Sequence, residues 1–196
     1  MAVEIEMQGV EALSEYFRTA TDRAERAETL AVSNASRFAR SESSKAIRSQ
    51  VNFTTSYLNQ DGRLELTRSN GGKEATLTGR HRATSLANPI FNRTTPFFGR
   101  PRKGVVVRVR VAKAGAGAQI KDGFFVRLKG GNVGLAVRTQ DGKAPSRGAK
   151  PIFGGDAHLL YGPSVGQVAF DVFPEIAPAV GERLGNEFIR QFERSR

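Results

Sequence analysis

The chain has no cysteine and only two histidines, His81 and His158. Thiol nucleophiles, disulfides and thiolate-held metals are excluded, and little remains for imidazole acid–base work or a histidine-ligated metal. Asp156, His158 and Ser164 lie close enough in sequence to suggest a Ser–His–Asp set. The Gly-x-Ser-x-Gly elbow that would expose such a serine is missing, and the segment reads as a turn entering a capped helix. Gly72-Lys73 and Gly142-Lys143 are followed by Glu74 and Ala144, where a phosphate-binding loop needs Ser or Thr. Gly115-Ala116-Gly117 lacks the third glycine and the following helix of a dinucleotide fingerprint. The expectation is a protein that is not an enzyme and has no metal and no cofactor.

What the residues offer instead is electrostatic. Residues 1–74 carry 10 basic and 11 acidic side chains, residues 156–196 carry 4 and 6, and residues 75–155 carry 16 and 2. The whole net charge of +11 therefore sits in the middle, and Ala75–Lys121 holds no acid at all. Like charges without counter-charges resist compaction, so this segment must face something negative or stay solvated. Arg80, Arg82, Arg93, Arg100, Arg102, Lys103, Arg108 and Arg110 are the candidates for contact with acidic protein neighbours or with DNA. Phe91, Phe97 and Phe98 interleave with the cations, as on a platform that stacks single-stranded bases. A loop inserting into an acidic neighbour has the same composition. No helix-turn-helix, zinc-finger or ribonucleoprotein motif points to a sequence reader.

The elements that must position these groups can be read from periodicity. Val3, Ile5 and Met7 alternate with polar residues and predict a strand over 2–8. Val10, Leu13, Phe17, Ala20, Ala24, Ala27, Ala31, Asn34 and Phe38 follow a 3–4 spacing, which predicts one helix to about residue 50 with a thin, alanine-rich seam. A hairpin is expected over 61–80, turning at Ser69-Asn70-Gly71-Gly72, because Asn-Gly supplies the positive φ angles of a tight turn. Residues 81–103, broken by Pro89, Pro96, Gly99 and Pro101, read as a long basic loop. Strands are expected over 104–111, with Val105, Val107, Val109 and Val111 opposite Arg108 and Arg110, and over 123–129 and 134–139. Residues 112–118 and 140–155 read as flexible loops. Ser164 and Gln167 fit a capping box opening a short helix, and Ile176, Val180, Leu184, Phe188 and Phe192 mark a last helix starting at Pro174 or Pro178.

Together these give a single α+β domain over 1–196. A long N-terminal helix and a C-terminal helix pack on a mostly antiparallel β-sheet over 61–139, with long basic loops and with C-terminal helices over 156–196. No stretch reaches the roughly 20 apolar residues that cross a bilayer, and Met1–Met7 shows no signal pattern.

Three segments stand out: Leu159-Leu160-Tyr161-Gly162-Pro163-Ser164-Val165 with Gln167-Val168, then Gly79-Arg80-His81-Arg82-Ala83-Thr84-Ser85-Leu86, and Glu187-Phe188-Ile189-Arg190-Gln191. They resemble the minor tail protein Z family of lambda-type bacteriophages. The resemblance implies a tail-completion protein of the virion, assembled in the host cytoplasm. It would form a homo-oligomeric, hexameric ring at the head-proximal end of the tail around the DNA channel. Its partners would be the tail terminator, tail tube and tape-measure proteins, with DNA in the channel and no membrane. No catalytic residues carry over, and Tyr161-Gly162-Pro163-Ser164 is expected to be a structural turn. The alternative is a non-sequence-specific nucleic-acid-binding protein that uses the basic segment 75–121.

Overall fold

The computed structural model describes residues 10–98, 106–139, 143–145, 148–155 and 157–194. The expected strand over 2–8 lies outside them. The fold is α+β, with a long N-terminal helix, a C-terminal helix and small antiparallel sheets. Helix α1 spans Val10–Gln50 without a break and a short α2 spans Thr55–Asn59. Strands β1 (Leu64–Ser69) and β2 (Glu74–Gly79) form the expected hairpin. Its turn holds Asn70 at φ 49° and Gly71 at φ 62°, the left-handed region that a tight hairpin turn demands. Next come β3 (Thr84–Ser85), β4 (Val106–Val109), β5 (Ala118–Lys121), β6 (Gly123–Arg127), β7 (Val133–Arg138), β8 (Lys150–Ile152), β9 (Ala157–Leu159), β10 (Tyr161–Gly162) and helix α3 (Val165–Arg194). The chain divides into two compact units, passing between them within α1, the hairpin and α3.

The first unit comprises described residues 10–40, 66–77 and 176–194. Ala27, Ala31 and Ala35 are buried on α1. Its seam meets α3 in antiparallel fashion: Arg23 lies over the Phe192 ring at 5.0 Å, Asn34 reaches Glu187, and Arg183 lies over Phe38 at 6.0 Å. The hairpin tip is tied to α1 by Lys73, whose Nζ is 3.3 Å from Glu25 and 3.9 Å from Glu28. The seam is not covered along its full length. Phe17 is 60% exposed, more than a turn before Arg23, which meets Phe192 of α3.

The second unit comprises described residues 41–65 and 78–175. Its main sheet has the order β6-β7-β9-β8, all antiparallel, with Val137 opposite Gly123 and His158 opposite both Val137 and Pro151. Phe124, Ala136, Ala157 and Leu159 form a buried cluster on it, with Val126, Leu128, Ile152 and Tyr161 packed around. Val107, Leu135, Ile47, Leu58, Val168 and Val172 are also buried in this unit. Two further pairs complete it, β4 with β5 and β3 with β10.

Five sequence expectations need correction. The loop expected over 81–103 contains the short strand β3, which forms because β10 pairs with it. The loop expected over 140–155 contains β8, an edge strand whose Pro151 lacks an N–H and so is tolerated where only one neighbour pairs. The loop expected over 112–118 ends in β5, which begins at Ala118. The region expected to hold only C-terminal helices opens with β9 and β10. The two helices expected after Ser164 are one, running through Pro174 and Pro178. Each proline deprives the carbonyl four residues back, that of Phe170 and that of Pro174, of its helical partner. Phe170, Pro174 and Pro178 share an exposed face, where water can take those carbonyls.

Candidate functional site

The second unit carries two basic clefts built on one aromatic stack. Phe53 stacks on Tyr57 at 5.2 Å, with their planes 6° apart, and touches Phe91 at 5.4 Å. Tyr57 faces one cleft, Phe53 and Phe91 the other. Phe53 and Phe91 are only 4% and 2% exposed, so they form a floor rather than a surface.

The first cleft, of about 460 Å³, gathers Arg93, Arg108, Arg110 and Lys113, with no acid in its lining. The four cations come from three local devices. Arg108 and Arg110 are two apart, so the strand's alternation turns both outward while Val107 and Val109 are buried. Arg93 follows a turn in which the Ile90 and Thr94 N–H groups donate to the Asn88 and Asn92 side chains, at 3.1 and 2.7 Å. Lys113 is fixed through its N–H, which donates to the Gln50 carbonyl at 2.9 Å. Asn52 ties the parts together: its amide donates to the carbonyls of Arg110 and Ala112, each at 3.0 Å, and its N–H to that of Val111 at 2.8 Å. The Arg110 N–H donates to Phe91 at 2.8 Å and its guanidinium to the Lys113 carbonyl at 2.9 Å. None of Arg93, Arg108, Arg110 and Lys113 has an ion pair among the described residues.

The second cleft, of about 530 Å³, holds Arg63, Arg80 and Arg82. Here one acid is present. Arg63 pairs with Asp61 at 2.8 Å and lies 3.8 Å over the Tyr57 ring, while Arg80 donates to the Asp61 carbonyl at 3.3 Å. Its positive field is therefore partly answered from within the chain.

The eight candidate cations thus separate. Arg93, Arg108 and Arg110 come together, Arg80 and Arg82 lie in the other cleft, and Arg100, Arg102 and Lys103 fall outside the described residues. Lys113 and Asn52 join the first cleft unannounced by sequence. Pairing of residue 50 with residue 113 is a long-range event, and no local pattern signals it. The phenylalanines interleaved with the cations do not gather in one place, and Phe98 is 45% exposed. Phe91 is buried, Phe97 packs edge-on against Phe125 at 5.6 Å, and Phe98 lies under Arg127 at 4.6 Å.

The turn at Tyr161-Gly162-Pro163-Ser164 is a packing junction. Tyr161 and Gly162 pair with Ser85 and Thr84. Ser164 and Gln167 cap α3 reciprocally: the Gln167 N–H donates to Ser164 Oγ at 3.0 Å and the Ser164 N–H to the Gln167 side chain at 2.8 Å. The Ser164 hydroxyl is fully buried in that role. His158 is buried with Nδ1 3.3 Å from the Thr139 hydroxyl, and Asp156 lies outside the described residues. Gly79 and Gly166 meet backbone to backbone, where a Cβ on Gly166 would stand 2.6 Å from the Gly79 carbonyl. The segments 79–86 and 159–168, far apart in sequence, are therefore neighbours in space.

Among the described residues, no group of three or more His, Asp and Glu side chains could hold a metal, and no helix is long and apolar enough to cross a membrane. In comparisons with known proteins, no family model, curated protein or solved structure matches the chain.

Proposed function

We propose that the chain is a non-catalytic structural subunit of a long-tailed bacteriophage particle, of the minor tail protein Z kind. It would complete the head-proximal end of the tail as a ring around the DNA channel, beside the terminator, tube and tape-measure proteins. The observation that carries this reading is the set Arg93, Arg108, Arg110 and Lys113, held on a buried aromatic floor and without counter-charges among the described residues. Such a cluster is stable only where an anion or water solvates it, and an assembly around a polyanion supplies the anion. Two further observations support it. The segments resembling the family, 79–86 and 159–168, meet at one junction. The serine that could have served as a nucleophile has its oxygen committed to a helix cap.

The test is incorporation. Purified particles or tails should contain the chain at a fixed copy number that is a multiple of six, resistant to salt washing, as read by quantitative mass spectrometry. Absence from particles, or removal by washing, would leave the second reading, a free nucleic-acid-binding protein using the same cations.

A further inference from the structure

We infer that the cleft of Arg93, Arg108, Arg110 and Lys113 binds the phosphodiester backbone of duplex DNA without reading its bases. The inference rests on the proposed function only for the sign of the partner's charge; it names the chemistry of that partner.

Three observations favour a nucleic-acid backbone over an acidic peptide. The strand that carries the cations is flanked on both sides where it lines the cleft. One side pairs with β5, and the other is closed by Arg110 to Phe91, Asn52 to Val111 and the bridge between Asn92 and Val109. An extended peptide would find no main-chain ladder there, which is what gives added strands their affinity. The floor is closed as well, since Phe53, Phe91 and Val109 are buried, so it offers little apolar surface to an anchoring side chain. What remains outward is charge and donor geometry. Three of the four cations are guanidinium groups, whose forked donors match phosphate oxygens.

The same floor decides against base recognition. No exposed ring lines the cleft, so stacking on unpaired bases is not on offer. The outer face of the β4–β5 pair extends the track, because Gln119 stands opposite Arg108 and Lys121 opposite Val106, all exposed. The side chains of Arg93 and Arg108 make no hydrogen bond or ion pair among the described residues. Their replacement removes charge without disturbing the frame that Arg110 and Asn52 hold.

The experiment uses the full-length chain and a fluorescent duplex of about 30 base pairs, titrated by anisotropy between about 50 and 200 mM salt. Arg93→Gln with Arg108→Gln is expected to reduce the slope of log affinity on log salt by about 1.8, at about 0.9 for each phosphate no longer neutralised. Arg18→Gln with Arg26→Gln, the same reduction of charge on α1 of the first unit, is expected to leave the slope unchanged. A single strand of equal phosphate count is expected to bind no tighter than the duplex. Equal slopes for both double variants would show diffuse attraction by net charge and overturn the site. Single-strand binding tenfold tighter would overturn the exclusion of stacking. Binding of poly-glutamate with none of DNA would overturn the inference while leaving the proposed function standing, and binding of neither would remove both.

Discussion

At the scale of the residue, side chains of one type do opposite work according to what surrounds them. Arg190 and Arg183 neutralise the buried carboxylate of Glu187, whereas Arg108 and Arg93 meet no acid among the described residues. Ser164 works through its oxygen alone, so Ser164→Ala should cost about 1 kcal/mol in urea unfolding, the usual worth of an N-cap. The structure leaves no space at Gly166. A Cβ there would lie 2.6 Å from the Gly79 carbonyl and 2.9 Å from the His81 ring, and the carbonyl cannot swing aside as a side chain can. Gly166→Ala should therefore destabilise the chain by about 1–3 kcal/mol, the range for overpacking, despite alanine's better helix propensity. Unfolding at lower denaturant would be the sign of it, and a stabilised variant would show that β2 and α3 do not meet so closely.

At the scale of the element, the first unit depends on a polar lock between α1 and α3. Hydrogen bonds from Arg190 hold the Glu187 carboxyl below the ordinary carboxylate range; burial opposes them, while the charges of Arg190 and Arg183 and the Asn34 amide add to the lowering. Arg183 sits 2.8 Å from one oxygen, and the Arg190 Nε donates to the other at 3.0 Å. Because the folded carboxyl titrates below its unfolded value, its stabilising contribution is complete at neutral pH. That contribution starts to fade near the ordinary value of 4.5 and is lost as pH falls through the folded one. Glu187→Gln should thus lower the thermal midpoint at pH 7 and converge on the parent chain in acid. A difference that persists unchanged in acid would contradict the lock.

Elements with strong local signals were legible in the sequence. The alternation of Val107 and Val109 with Arg108 and Arg110, the Asn70-Gly71 turn and the Ser164–Gln167 box each correspond to an observed feature, since each is decided within a few residues. What escaped was decided at a distance. Lys150–Ile152 becomes a strand only because β9 presents an edge to it, and its Pro and neighbouring Gly disguise it. Pro174 and Pro178 suggest a break, but an exposed face can solvate the carbonyls they release. The basic cleft was half legible for the same reason. Arg108 and Arg110 were marked by alternation and charge, whereas Lys113 and Asn52 enter through hydrogen bonds between segments some 60 residues apart.

At the scale of the whole molecule, residues 75–155 carry 16 basic and 2 acidic side chains, a net of +14, against −3 for the rest of the chain, so a polyanion meets its charge in that segment. The second unit gathers Arg93, Arg108, Arg110 and Lys113 in one cleft, and in the proposed particle an anionic partner completes them. Density for intact particles, at a resolution that shows side chains, tests this most directly. The expected result is a ring of copies at the head-proximal end of the tail, with Arg93, Arg108 and Arg110 against phosphates. A ring in which those three guanidinium groups face bulk water, far from DNA and from any acidic neighbour, would contradict it.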